Sequence, residues 1–221
     1  MLRNEGTMKQ ILCFGDSNTY GYIPENGARF PYGVRWTSLL AERLKSRQVQ
    51  VIEEGLCGRT TRYDDATRPA RNGLKEFPAI LKKHPDADTV ILMLGTNDCK
   101  TLYHTTAESI GEGIRRLLEQ IRAIDPQRRI LLLSPIHLGE HVYEEAYDPE
   151  FSDWSVPLSR ELPAVYERIA EEYGIAFLRA SDFASPSETD QEHMTAQDHA
   201  ALADAIFDAL LSLEDAQRCI A

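Results

Sequence analysis

Apolar residues in this chain form two alternating patterns: short continuous runs, and longer stretches in which every third or fourth residue is apolar. Continuous runs are typical of strands that are buried on both faces of a parallel sheet, whereas the longer spacing is typical of amphipathic helices. The runs predict five strands, at residues 10–14, 49–53, 89–94, 129–134 and 175–178. Strands that alternate with helices predict a three-layer α/β/α sandwich with a five-stranded, mostly parallel sheet.

Polar residues mark where several of the predicted helices begin. We interpret residues 105–108 (Thr-Thr-Ala-Glu) and 195–198 (Thr-Ala-Gln-Asp) as capping boxes that start the third and the last helix. Pro78 lies inside the predicted second helix and is expected to weaken or kink it.

Length and composition favour one globular domain. We expect a domain over residues 9–213, between a disordered lead of residues 1–8 and a C-terminal tail of residues 214–221. Apolar residues make up 43% of the chain and charged residues 27%, as in ordinary globular proteins.

The charge pattern limits the possible partners. The chain has 24 Lys and Arg against 35 Asp and Glu, a net charge of −11, and no basic block, so it lacks the cationic patch that nucleic acids or anionic membranes require. No apolar run approaches the ~20 residues of a membrane span, and the first residues lack the apolar core of a signal peptide. The four cysteines form no C-x-x-C pair, which favours free thiols, no metal site and a cytoplasmic location.

Two connections are too long for simple turns. Residues 59–73 mix four arginines with aspartates, and we interpret them as a solvated, self-paired loop in preference to a substrate-facing one. Residues 137–158 combine aromatic and acidic side chains, which is compatible with a lid, a pocket wall, a subunit contact or a loop packed on itself.

Three polar segments directly follow predicted strands: residues 15–18 (Gly-Asp-Ser-Asn), 54–61 and 95–98 (Gly-Thr-Asn-Asp). Because the carboxyl ends of parallel strands lie at one edge of a sheet, these segments are expected to converge. A fourth segment, residues 190–193 (Asp-Gln-Glu-His), precedes the last helix.

This set contains the groups that acyl transfer requires. Ser17 supplies a hydroxyl nucleophile, His193 a base, and Asp190 a carboxylate that orients the imidazole. The backbone N–H groups of Ser17 and Gly58 and the amide of Asn97 are candidate oxyanion donors.

In order along the chain, these four blocks resemble those of the SGNH (GDSL-type) hydrolases, and the similarity extends over residues 9–213. Residues 11–22, 34–37, 51–61 and 91–100 are most similar to the bacterial arylesterase/acyltransferase (perhydrolase) branch. The resemblance implies the flavodoxin-like fold of that family and a cofactor-independent serine esterase for small acyl esters, with a Ser17, Asp190 and His193 triad. Members of the branch also transfer acyl groups to alcohols or peroxide, and some form homo-oligomers, which we expect here.

Two departures from the family pattern bear on the site. Asn18 replaces the usual Leu after the serine, and we place it on a more polar pocket floor. Glu192 follows Gln191 where a Gly after the Asp is frequent, and its charge is expected to raise the pKa of His193. With Asn18, we name Trp36, Cys57 and Cys99 as candidate substrate-binding residues, although packing explains Trp36 better.

Three other functions remain open from the sequence. The first keeps the chemistry but removes acetyl groups from carbohydrates. The second is a metal-dependent hydrolase built on Asp16, Asp98, Asp190 and His193, and the third is an inactive binding protein.

Overall fold

The computed structural model describes residues 8–218 and contains one five-stranded parallel sheet. Its strands are β1 (Lys9–Gly15), β2 (Val49–Gly55), β3 (Ala87–Met93), β4 (Arg129–Ser134) and β5 (Ala176–Arg179). They pair in the order β2-β1-β3-β4-β5. Each predicted strand overlaps an observed one, so the sheet prediction is confirmed. The chain leaves β1 and β3 in opposite directions across the sheet, and the crevice between their carboxyl ends is where such folds bind ligands.

Residues 8–218 contain six α-helices, of which five cover the two faces of the sheet and the first, which is short, follows directly after β1. They are α1 (Ser17–Tyr20), α2 (Trp36–Leu44), α3 (Gly73–Lys83), α4 (Ala107–Ile124), α5 (Ser155–Tyr173) and α6 (Ala196–Arg218). On one face, α3, α4 and α5 pack on side chains such as Leu12, Phe14 and Leu92. On the other face, α2 and α6 pack on the alternate residues, such as Cys13, Ile91 and Met93. The three-layer α/β/α architecture is therefore confirmed.

One of the two predicted capping boxes lies one residue from its expected position. The observed box at the start of α4 pairs Thr106 with Ser109, at 3.2 Å and 2.9 Å. Thr105 is not available because its hydroxyl donates to the Asp98 carbonyl at 2.7 Å, which ties this helix to the loop after β3. The box at the start of α6 is where the sequence predicted it, with reciprocal bonds between Thr195 and Asp198.

Helix α3 continues through Pro78 because a neighbouring side chain replaces the missing donor. Proline at this position leaves the carbonyl of Leu74 without its helical partner. The side-chain amide of Gln120 on α4 donates to that carbonyl at 2.9 Å.

The boundaries of the predicted domain remain predictions. Helix α6 extends to Arg218, beyond the predicted end of the domain at residue 213. Residues 1–7 of the predicted lead and 219–221 of the predicted tail lie outside the described residues. Within residues 8–218, no helix combines the length and the apolar composition needed to cross a bilayer.

Candidate active site

Ser17 occupies the first position of α1, immediately after β1. Asp16 caps this short helix, and its Oδ1 accepts the backbone N–H of Asn18 at 3.0 Å. Gly15 allows the sharp change of direction, because a Cβ at this position would lie 2.1 Å from Thr19 Oγ1 and 2.7 Å from the Met93 carbonyl oxygen. The serine is thus held at the edge of the sheet by a turn that a larger residue at position 15 would disrupt.

Asp190 and His193 form the pair that the sequence predicted. His193 Nδ1 lies 2.7 Å from Asp190 Oδ2, while Asp190 Oδ1 accepts the backbone N–H groups of Glu192 at 3.1 Å and His193 at 2.9 Å. A carboxylate at Nδ1 favours the tautomer with its proton on that nitrogen, which leaves Nε2 as the basic atom. His193 and Ser17 line the same pocket.

The loop that carries His193 is held in place by groups from distant parts of the chain. Asn18 Oδ1 accepts the Met194 N–H at 3.0 Å, and its Nδ2 donates to the Glu192 carbonyl at 3.3 Å. The Tyr22 ring packs on the His193 imidazole, with ring centroids 4.2 Å apart. Gln191, at the place where glycine is frequent in the family pattern, has a φ of 62°, and its carbonyl accepts the N–H of Gly139 at 2.8 Å.

The candidate oxyanion donors also meet at this pocket. Ser17, Gly58 and Asn97 all line it. Gly58 has a φ of 80°, a backbone conformation that residues with a side chain rarely adopt. Space is not the constraint there, because a Cβ would lie 3.5 Å from the nearest atom. Asn97 Nδ2 donates one N–H to the Arg59 carbonyl at 3.2 Å, which fixes the amide and leaves its second N–H for another acceptor.

Of the four predicted substrate-binding residues, only Cys57 is among the pocket-lining residues. The Asn18 side chain is 3% exposed and bonds the His193 loop, so it is not on the pocket floor. Trp36 is fully buried in the core between α2 and the sheet, and its Nε1 donates to the Asn18 carbonyl at 3.1 Å. Cys99 is buried on the other face of the sheet, with its thiol 3.5 Å from the Gly95 carbonyl oxygen.

Asp16 and Asp98, the residues of the metal-dependent alternative that follow β1 and β3, accept backbone N–H groups of neighbouring segments. Asp98 accepts the Thr61 N–H at 2.9 Å and is fully buried, which raises the pKa of its carboxyl to about 6. Burial likewise raises the pKa of Asp16 to about 7. Among residues 8–218, no three His, Cys, Asp or Glu side chains have the arrangement of a metal site.

Four charged side chains also line the pocket, which is open to solvent and spans about 430 Å³, and the sequence analysis had related only Glu192 among them to the site. They are Arg68, Lys100, Asp148 and Glu192. Lys100 Nζ lies 3.2 Å from Asp148 Oδ2 and also pairs with Glu150, and Arg68 bridges to Glu150 at 3.1 Å.

Both long connections therefore reach the site. The loop of residues 59–73 is self-paired as predicted, with Arg68 at 2.5 Å from Asp65, but Arg68 also lines the pocket. Arg59 is buried and donates to the Gly15 carbonyl at 2.8 Å, beneath the serine turn. Segment 137–158 forms part of the pocket wall through Asp148. The sequence signals for these two residues were general: Lys100 ends the similar segment 91–100, and Asp148 lies in the acidic connection for which a pocket wall was one of several interpretations.

The electrostatic surroundings of His193 raise its pKa above the ordinary value, as predicted. Burial lowers the pKa, but the charge of Glu192, the hydrogen bond with Asp190 and the charge of Asp190 outweigh it. Glu192 Oε1 lies 3.9 Å from Nε2, too far for a hydrogen bond, so its influence on that nitrogen is through its charge. The imidazole therefore has a hydrogen-bonded carboxylate at Nδ1 and a second carboxylate, not hydrogen-bonded, near Nε2.

Glu192→Gln is expected to shift the acid limb of the pH profile of kcat/KM to lower pH. A base with a raised pKa remains protonated, and hence inactive, up to a higher pH; removing the Glu192 charge lowers that pKa, so kcat/KM rises on the acid side. The measurement is kcat/KM for p-nitrophenyl acetate across the acid range. Glu188→Gln is the matched control, because Glu188 lies in the same loop and contacts Gln191 rather than His193. An unmoved limb in Glu192→Gln, or an equal shift in both variants, would contradict the assigned role.

Comparisons with known proteins agree with the fold and with the order of the blocks. The chain matches the GDSL-like Lipase/Acylhydrolase family over residues 13–204. The structure of a carbohydrate acetylesterase family member from Sinorhizobium meliloti is similar, with 34% identity and a TM-score of 0.86 over 92% of this chain and 97% of that one. The inhibitor-bound aryl esterase of M. smegmatis has 35% identity and a TM-score of 0.86, over 93% of this chain and 99% of that one. No curated protein sequence matches this chain significantly.

Proposed function

The chain belongs to the GDSL-like lipase/acylhydrolase family and is a carboxylic-ester hydrolase, and we propose that it hydrolyses small acyl esters through an acyl-serine intermediate. In this proposal Ser17 is the nucleophile, His193 the general base and then acid, and Asp190 the group that orients the imidazole. The observation that carries the proposal is that His193, which Asp190 bonds at Nδ1, lines one pocket together with Ser17, Gly58 and Asn97.

In the first half-reaction, Ser17 Oγ attacks the ester carbonyl carbon while His193 Nε2 takes the hydroxyl proton. The negative charge that develops on the carbonyl oxygen is stabilised by the N–H groups of Ser17, Gly58 and Asn97. The bond from the acyl carbon to the alcohol oxygen then breaks, and His193 returns the proton to the leaving alcohol. In the second half-reaction water repeats the sequence and releases the acid.

The charged lining of the pocket supports a short acyl group. A long alkyl chain placed against Arg68, Lys100, Asp148 and Glu192 would remove water from charged groups without replacing their hydrogen bonds, which is costly. An acetyl group buries too little surface to incur this penalty.

The acyl preference is tested with a series of p-nitrophenyl esters from acetate to octanoate. We expect kcat/KM to be highest for acetate and to fall as the chain lengthens. Because the leaving group is the same throughout, differences in kcat/KM come from the acyl group. For the serine mechanism, we also expect the rate to be unchanged when a chelator is added. The fastest turnover on octanoate would contradict the small-acyl proposal, and loss of activity in the chelator would favour the metal-dependent alternative.

Carbohydrate O-acetyl esters are the second candidate substrate class. The pocket offers charged donors and acceptors to a hydroxyl-rich alcohol, and the Sinorhizobium meliloti protein carries the description carbohydrate acetylesterase. Transfer of the acyl group to an alcohol or to peroxide would be the second half-reaction with another acceptor in place of water. The homo-oligomeric assembly and the cytoplasmic location remain predictions.

A further inference from the structure

A second cleft lies beside the catalytic pocket at the same edge of the sheet. It is open to solvent and spans about 660 Å³ between three loop segments, residues 65–68, 100–103 and 149–150. Each segment belongs to a loop that follows a different strand, β2, β3 or β4. The reaction described above assigns no role to this space.

The two spaces share a wall. Arg68 and Lys100 line both of them, and Glu150, which lines the second cleft, bonds both cations. The Arg68 side chain is 37% exposed, in contrast to Lys100 at 6%, so the wall is open to solvent on the Arg68 side. An ester with its carbonyl at Ser17 and an alcohol larger than a methyl group can extend past this side chain.

The lining of the second cleft combines apolar and hydrogen-bonding groups. Tyr103, Leu102 and Pro149 contribute apolar surface, and Leu102 is 67% exposed. Thr67, Thr101 and Glu150 contribute hydroxyl and carboxylate oxygens. The two shared cations are already paired with Asp65, Asp148 and Glu150, so the cleft has no excess positive charge for an anion.

We propose that the second cleft binds the alcohol half of the substrate, and that this alcohol is neutral and polyhydroxylated, of about the size of a sugar ring. A sugar presents C–H groups that pack on an aromatic ring and hydroxyl groups that bond to carboxylates and threonines, whereas a purely apolar alcohol would remove water from the Thr67, Thr101 and Glu150 oxygens without replacing its hydrogen bonds. The proposal rests on the proposed esterase function, because it places the acyl carbonyl at Ser17.

The test compares 6-O-acetylglucose with methyl acetate in Tyr103→Ala. We expect KM for 6-O-acetylglucose to rise about 3- to 10-fold, and kcat/KM for methyl acetate to change less than about twofold. Tyr63→Ala is the matched control: the Tyr63 and Tyr103 rings pack together with centroids 5.2 Å apart, so either variant loses that contact, but Tyr63 does not line the cleft. Tyr63→Ala is therefore expected to keep both parameters within about twofold of wild type.

Three outcomes would overturn the proposal. Equal losses on both esters in Tyr103→Ala would indicate a structural role for that ring. Equal effects of Tyr103→Ala and Tyr63→Ala on 6-O-acetylglucose would do the same. Phenyl acetate is measured as a third substrate, and a rise in its KM alone in Tyr103→Ala would show that the cleft binds an apolar aromatic alcohol.

Saturation-transfer NMR with methyl β-glucoside provides a measurement that does not depend on catalysis. We expect a signal with wild type and Tyr63→Ala and a weaker one with Tyr103→Ala. Ester turnover without saccharide binding would refute the subsite and leave the esterase proposal standing. Saccharide binding without turnover of any small acyl ester would refute the proposed hydrolysis of small acyl esters at Ser17 and leave the cleft as a binding site.

Discussion

Replacing Ser17 with alanine is expected to lower kcat for p-nitrophenyl acetate by about 10⁴- to 10⁶-fold. The substitution removes the only atom from which an acyl-serine can form, yet it leaves the Asp190–His193 pair and the Gly58 and Asn97 donors in place. A small residual rate above that in water is expected, because those groups still stabilise the oxyanion during direct attack by water. Initial rates under saturating substrate, with the fold checked by circular dichroism, measure the loss.

Cys57 provides the comparison for this variant, because it is the other candidate nucleophile among the described residues that line the pocket. Burial raises the pKa of its thiol to about 11, so it is protonated and a poor nucleophile at neutral pH. Cys57→Ala is therefore expected to lose far less activity than Ser17→Ala. An organophosphate should label the Ser17 peptide in wild type and leave Ser17→Ala unlabelled. Equal losses in both variants, or a label on Cys57, would refute the assignment of the nucleophile.

The sheet and the convergence of the catalytic blocks could be predicted because they depend on local signals. A strand buried on both faces must be apolar throughout, and this pattern is visible in any short window of sequence. Parallel strands place their carboxyl ends at one edge, so the segments after β1, β2 and β3 had to meet whatever their detailed conformation. The short distance between Asp190 and His193 in the sequence made their pairing an equally local prediction.

The position of Asn18 was not predictable in the same way. Its residue type indicated a polar pocket floor, but its side-chain Oδ1 accepts the backbone N–H of Met194, 176 positions later in the chain. The direction of its side chain depends on where the His193 loop lies, and that position is a property of the whole fold. Two other site residues also have partners far away in the sequence: the Tyr22 ring packs on His193, and Lys100 pairs with Asp148.

The capping box of α4 shows the same limit on a smaller scale. Thr105 and Thr106 are equally suitable N-caps by residue type. The loop after β3 decides between them, because the Asp98 carbonyl takes the Thr105 hydroxyl and leaves Thr106 to cap the helix. Local patterns therefore identify the element, whereas contacts between distant segments decide which residue has which role.

Asp190→Asn is expected to lower kcat by about 10⁴-fold while the protein remains folded. The two oxygens of Asp190 have separate roles: Oδ1 accepts two backbone N–H groups, and Oδ2 accepts from His193 Nδ1. Asparagine keeps the first role, because its amide oxygen can accept both backbone bonds. Its amide nitrogen is a donor, so His193 Nδ1 must become the acceptor and the proton moves to Nε2, the atom that has to be basic.

The prediction is checked by kcat, by the melting temperature and by ¹⁵N NMR of the imidazole, which reports the tautomer directly. Asp182→Asn is the matched control, since Asp182 lies close in sequence and precedes this loop in the turn after β5; we expect near wild-type kcat from it. A loss smaller than about tenfold in Asp190→Asn, with the melting temperature and the tautomer unchanged, would show that Asp190 does not orient the base. Glu192, 3.9 Å from Nε2, would then be the nearest carboxylate left to stabilise the imidazolium, and the Glu192→Gln variant would become the more damaging of the two.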